Sequence, residues 1–193
     1  MRALPRDQSS RVVHMFDERR EQSEQMRSRA FWCRVIGATW PGAHAQWNAE
    51  DNPANRAGVD VHVVHEGRAF TIDTKTRQPR KDCRRTQGAD ECRCDFGDFL
   101  LEVTSNDRTG APGWMNKALL CDYLGYGVLC TGRYELVPWP ALRAAWARFR
   151  DQWIARFGTK AAQNDGYATI SVPVPRKIVW TAVADVLRGT LAG

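Results

Sequence analysis

The sequence predicts a single α/β domain built on a mixed central β-sheet flanked by helices. Three observations lead there. Two runs rich in β-branched residues, Val59–His65 and Ala69–Thr76, are separated only by Glu66 and Gly67, the pattern of a β-hairpin. Apolar residues recur at helical spacing before residue 37 and again from Pro138 to Phe157. A chain of 193 residues, 43% of them apolar, can bury one medium-sized core without help from disulfides or metals.

The first helix is expected from Ser9 to about Gly37. Ser9 or Ser10 can cap it, and Val12, Phe16, Met26, Ala30 and Cys33 fall near one face, with charge on the other. Trp40 to Gly58 has turn and loop composition, with Pro41, Gly42, Asn48, Asn52, Pro53 and Asn55. After the hairpin, residues 77–97 form a polar, basic, cysteine-bearing loop. Phe99–Thr104 reads as a third strand, and Trp114–Leu124 as a helix ended by Gly125 or Gly127. Gly127–Thr131 supplies a fourth strand, with Tyr134–Val137 as its continuation. The core, about residues 9–131, therefore runs α-β-β-β-α-β. A C-terminal extension of about residues 138–193 adds the amphipathic helix Pro138–Phe157, a strand at Tyr167–Val174 and a short helix at Val179–Leu187.

The hairpin carries the chemistry. Asp73 and Lys75 are two apart on a strand, so both leave the same face, while Thr74 points away and offers its carbonyl beside the carboxylate. If the Glu66-Gly67 turn sets the register, Asp60 on the first strand meets Asp73 at the open end. Asp60, Asp73 and the Thr74 carbonyl make an all-oxygen donor set suited to Mg²⁺ or Mn²⁺, with room for water and a phosphate oxygen. Lys75 is placed to orient or deprotonate an attacking water, or to stabilise developing charge. An acid buried next to Phe70–Ile72 is costly unless a partner or metal compensates it.

Asp60 on one strand and Asp73-Thr74-Lys75 on the next, after a helix, resemble the PD-(D/E)XK nuclease superfamily. Gly58-Val59-Asp60 and Ile72-Asp73-Thr74-Lys75-Thr76 look most like its RecB-type branch, and the resemblance covers roughly residues 9–131. It implies a restriction-endonuclease-like core and metal-dependent hydrolysis of DNA, with Asp60, Asp73 and Lys75 in the catalytic positions. It also implies an added glutamate ligand on the first helix, for which Glu18, Glu21 and Glu24 are available. Members of some branches carry a glutamine and a tyrosine on the helix after the third strand. Here Lys117 and Tyr123 stand in that region, without the glutamine. Glu102 on the third strand can assist the metal or face solvent.

The formal charge of +6 favours an anionic partner. Most of the positive charge is arginine, whose planar fork suits phosphate, although high-GC codon usage gives the same bias. Arg77, Arg80, Lys81, Arg84 and Arg85 follow the hairpin directly and, with Lys117, are the expected DNA-backbone contacts. Cys83, Cys92 and Cys94 could give three thiolates to a zinc ion. Their spacing fits no common motif, and Cys33, Cys121, His62 and His65 are distant in sequence. The first residues lack the apolar run of a signal peptide, and no stretch is long and apolar enough for a membrane span, so a cytoplasmic location is expected. The small size suits a phage or mobile-element origin. The reading is a Mg²⁺-dependent deoxyribonuclease. Its alternative is a non-catalytic nucleic-acid-binding or assembly module that keeps a nuclease-like fold.

Overall fold

A computed structural model describes residues 25–49, 52–79, 83, 94 and 96–191. The chain divides into two compact units, one up to Ala43 and the other from His44 onward. In the first, helix α1 covers residues 25–39. Its buried residues are Phe31, Trp32, Val35 and Ile36, and the rings of Phe31 and Trp32 meet edge to face at 5.1 Å. Met26, Ala30 and Cys33 were expected on the apolar face and are exposed. The stripe is rotated toward the larger side chains, which gain most by leaving water. Val12, Phe16 and the expected serine caps lie outside the described residues.

The second unit holds two sheets. A five-stranded sheet has the order β1-β2-β3-β6-β7 and is mixed: β3 and β6 run parallel and the other pairs antiparallel. Its strands are β1 His44–Trp47, β2 Val61–His65, β3 Arg68–Arg77, β6 Tyr123–Val128 and β7 Arg133–Pro138. The second sheet has the order β5-β4-β9-β8, with β4 Asp98–Asn106, β5 Ala111–Pro112, β8 Lys160–Gln163 and β9 Ala168–Pro175. Helix α2 is one turn, Pro53–Arg56, while α3 (Trp139–Phe157) and α4 (Arg176–Leu191) are long.

The β2–β3 hairpin forms as its sequence predicts. Glu66 and Gly67 both take positive φ, 48° and 74°, the left-handed pair of a two-residue turn that matches strand twist. The resulting register runs from His65↔Arg68 to Val61↔Ile72. The C-terminal half also follows expectation in kind: α3 buries Leu142, Trp146 and Trp153, and α4 is longer than the expected Val179–Leu187. One core joins Phe99 and Leu101 of β4, Leu124 and Tyr126 of β6, Val172 and Val174 of β9, and the inner faces of α3 and α4.

Five expectations fail. Trp114–Leu124 is not a helix: only Trp114–Asn116 makes a 3₁₀ turn, and strand β6 begins at Tyr123. β6 is buried along nearly its whole length between β3 and β7. A strand covered on both faces reads as a continuous apolar run, which periodicity does not separate from a helix. The fourth strand therefore starts at Tyr123 instead of Gly127, and Arg133–Pro138 is a separate antiparallel neighbour. β4 does not extend the hairpin but pairs with β9, and β1 arises where only loop was expected.

Candidate active site

Asp60 lies just before β2, and its position is fixed from several sides. The α2 turn is capped by Asn52, whose side chain accepts from Ala54 N at 2.9 Å. Chain reversal follows at Gly58, with φ of +79°. A Cβ on Gly58 would lie 2.6 Å from Leu119 Cδ2, so glycine also admits the segment that crosses above it. Asp60 N donates to Ile72 O at 3.0 Å, and Asp60 O accepts from Asn48 N at 2.9 Å. Asp60 Oδ1 then accepts from Asn55 Nδ2 at 3.1 Å, and Oδ2 accepts from Thr74 N at 2.7 Å and Thr74 Oγ1 at 2.6 Å. Thr74 thus meets Asp60 through its N–H and hydroxyl, a contact not foreseen from the sequence.

Asp73 is 1% exposed, on the central strand β3. Lys75 Nζ donates to its Oδ1 at 2.9 Å and lies 2.8 Å from Oδ2, off the hydrogen-bonding direction, so Oδ2 is buried without a hydrogen bond. The Lys75 side chain keeps 31% of its surface in solvent. Burial pushes the Asp73 carboxyl above its ordinary value; Lys75 opposes the rise and Asp60 adds to it. Burial pulls Lys75 down, but the charges of Asp73 and Asp60 outweigh it and hold the ammonium above the usual lysine range. At neutral pH Lys75 is a charged donor.

Strand β4 brings Glu102 into the same field. Burial raises its carboxyl, Lys75 and Lys117 pull it down, and a bond from the Trp114 backbone N–H also favours the charged form. A Cβ on Gly113 would sit 2.4 Å from Glu102 O and 2.7 Å from its Cγ, so only glycine allows this approach. Cys121 lies beside Asp73. Burial and then the Asp73 charge push its thiol up to about 12, which keeps it protonated.

The structure gathers Asp60, Asp73, Thr74 and Lys75, and adds Glu102. Lys117 is exposed and acts electrostatically on Asp73 and Glu102. Arg77 has a different position from a phosphate contact: its guanidinium donates to Asp98 Oδ1 at 2.6 Å and lies 3.5 Å from the Phe96 ring centre. It braces the start of β4. Arg80, Lys81, Arg84, Arg85, Glu18, Glu21, Glu24 and Cys92 lie outside the described residues.

An all-oxygen ion fits here in one respect and is constrained in another. Asp73 Oδ2 is buried and accepts no hydrogen bond, with the Lys75 ammonium 2.8 Å away and the Asp60 charge acting on it, so a divalent cation there would further offset the two carboxylates. Asp60 Oδ2 already accepts two bonds, from the Thr74 N–H and hydroxyl, and Oδ1 accepts one from Asn55, so the remaining Asp60 lone pair for an ion is on Oδ1.

A second group of donors lies beyond the end of β3. Cys83, Cys94 and Cys130 are buried with their sulfurs all within 4.8 Å of one another, a cluster able to bind a metal. Cys130, in the β6–β7 turn, was missed from sequence, since 36 residues separate it from Cys94 and no motif spacing links them. No helix among the described residues is long and apolar enough to cross a membrane. No protein-family model, curated protein or solved structure matches the chain.

Proposed function

We propose that the chain is a metal-dependent nuclease that hydrolyses DNA phosphodiester bonds at the open end of the β2–β3 hairpin. One observation carries the reading: a buried carboxylate, Asp73, has an oxygen without a hydrogen bond and is flanked by Asp60, Glu102 and the Lys75 ammonium. Asp60 and Asp73 would hold Mg²⁺ or Mn²⁺, with Glu102 as an added acidic group. When bound, the ion supplies charge neutralisation at the phosphate and acidifies a water. Thr74 and Asn55 keep the Asp60 carboxylate from rotating. Lys75, held as an ammonium, orients the attacking water or neutralises charge on the phosphate oxygens; it does not serve as the base. Lys117 attracts the DNA backbone to the same mouth. The sequence resemblance to PD-(D/E)XK nucleases supports this reading at the hairpin, while β4 in a second sheet and the missing helix at 114–124 depart from that pattern.

Purified protein with Mg²⁺ or Mn²⁺ is expected to cleave linear, circular or single-stranded DNA, and Asp73→Asn to lose that cleavage. Intact DNA in every case, or equal cleavage by the variant, contradicts the proposal. One observation favours a non-catalytic binding module: Lys75 and Thr74 engage the Asp73 and Asp60 carboxylates directly. Salt-sensitive DNA binding that persists in Asp60→Asn and Lys75→Ala, without cleavage, selects that reading.

A further inference from the structure

We infer that Cys83, Cys94 and Cys130, in their reduced form, bind one zinc ion that staples the start of β4 and the β6–β7 turn to the segment following β3. The site is distinct from the carboxylate centre and needs none of its residues.

The geometry is that of a ligand set drawn together from three chain segments. Cys83 follows β3, Cys94 precedes β4, and Cys130 occupies the turn after β6. Their exposures are 1%, 0% and 9%, and Phe96 packs against them. The Cys83 and Cys130 sulfurs approach to 2.9 Å, well beyond the roughly 2.05 Å of a disulfide bond. Two thiolates on one tetrahedral zinc, each about 2.3 Å from the ion, stand about 3.8 Å apart. Every sulfur pair here lies within 4.8 Å, so seating an ion requires the closest pair to open by under about 1 Å. Soft sulfur donors select zinc over the hard cations suited to Asp60 and Asp73.

Cys130 is disulfide-bonded. The metal site therefore belongs to the reduced protein. A phosphine or dithiol reductant delivers two electrons to the Cys130 disulfide, and two protons complete the two thiols. Zinc binding then releases the thiol protons of its ligands as each becomes a thiolate.

The backbone around the cluster shows what the ion would hold. Leu129 N donates to Arg77 O at 3.2 Å, joining the turn to the end of β3. Phe96 N donates to Cys94 O at 2.9 Å, and Phe96 lies under the Arg77 guanidinium, which is paired with Asp98. These contacts connect strands of both sheets, including β3 with Asp73 and Lys75 and β4 with Glu102. An ion bound here would fix the spacing of the two strands from their far side.

The test is metal analysis of the full chain, reduced with a phosphine, equilibrated with Zn²⁺ and desalted. One zinc per chain is expected, together with sulfur-to-metal charge-transfer bands when Co²⁺ replaces it. Cys83→Ser and Cys130→Ser should each lose the zinc, whereas Cys33→Ser, at an exposed site on α1, should keep it. Should a variant misfold, chelation of the wild-type protein gives a second readout: the Tm should fall by at least several degrees on zinc removal and return on reloading. Reduced protein without zinc, iron and sulfide in its place, zinc retained by Cys130→Ser, or a Tm indifferent to chelation would each overturn the inference.

Discussion

The carboxylate centre and the thiol cluster lie along one strand and differ in nearly every physical respect. Asp73 sits four residues before Arg77 on β3, about 13 Å at strand rise, and the thiols lie past the Arg77 end. The first centre is made of hard oxygens held by sheet register and short hydrogen bonds, with three carboxylates around the Lys75 ammonium. The second is made of buried sulfurs brought together by loops and a turn. An ion at the first would be exchangeable and reach solvent through the Lys75 side, as catalysis needs. At the second it would be enclosed and structural.

Mutation should separate the two. Asp73→Asn is the largest expected effect: it removes the buried anion and should lower Mg²⁺-dependent cleavage by about 10³-fold, while zinc content stays unchanged. Equal loss of zinc in that variant would show that the two regions are not independent. Gly113→Ala comes next. Its methyl group would meet the Glu102 backbone, and a cost of about 1–3 kcal/mol is expected, seen as a Tm lower by several degrees. Arg77→Ala should cost about 1–2 kcal/mol through the lost Asp98 and Phe96 contacts, without changing the salt dependence of DNA binding. A shallower salt slope would instead mark Arg77 as a phosphate contact. Asn55→Ala, which frees one Asp60 oxygen, should cost about 1 kcal/mol and shift the metal affinity only a few-fold.

The remaining effect is a pH dependence confined to the alkaline range. Cys121 ionises near 9.0 when unfolded and near 12 when folded, so between those values the native state binds more protons than the unfolded state. Its contribution is fully present below pH 9 and falls as pH rises through that window. Alkylation should modify exposed Cys33 at pH 8 and spare Cys121 until the protein unfolds. Fast modification of native Cys121 would show that the wall beside Asp73 is open.

The legible parts of the molecule were those fixed by short-range chemistry. Glu66-Gly67 set the hairpin register, and alternation put Asp73 and Lys75 on one face. Asp60 could be named because it precedes a strand whose partner carries Asp73. What stayed hidden depends on chain paths that local pattern does not encode. β6 looked like helix because burial on both faces removes alternation. For Glu102 the sequence left two roles open, at the metal or in solvent, and it is β4, with Gly113 packed against the Glu102 backbone, that brings it into the field of Asp73 and Lys75. Cys130 lies beside Cys83, 47 positions away in sequence, a proximity that the C-x-C of Cys92 and Cys94 did not suggest. Arg77 read as a phosphate ligand by charge alone, because its partner Asp98 lies 21 residues on.

The measurement closest to the central claim is a Mn²⁺ titration of the reduced, zinc-loaded protein, followed by the loss of the free-ion magnetic resonance signal. Wild type should bind Mn²⁺ competitively with Mg²⁺, and Asp60→Asn and Asp73→Asn should each abolish that binding while zinc remains. Wild-type protein that leaves all Mn²⁺ free, or variants that bind it as the wild type does, would contradict a metal centre at the hairpin end.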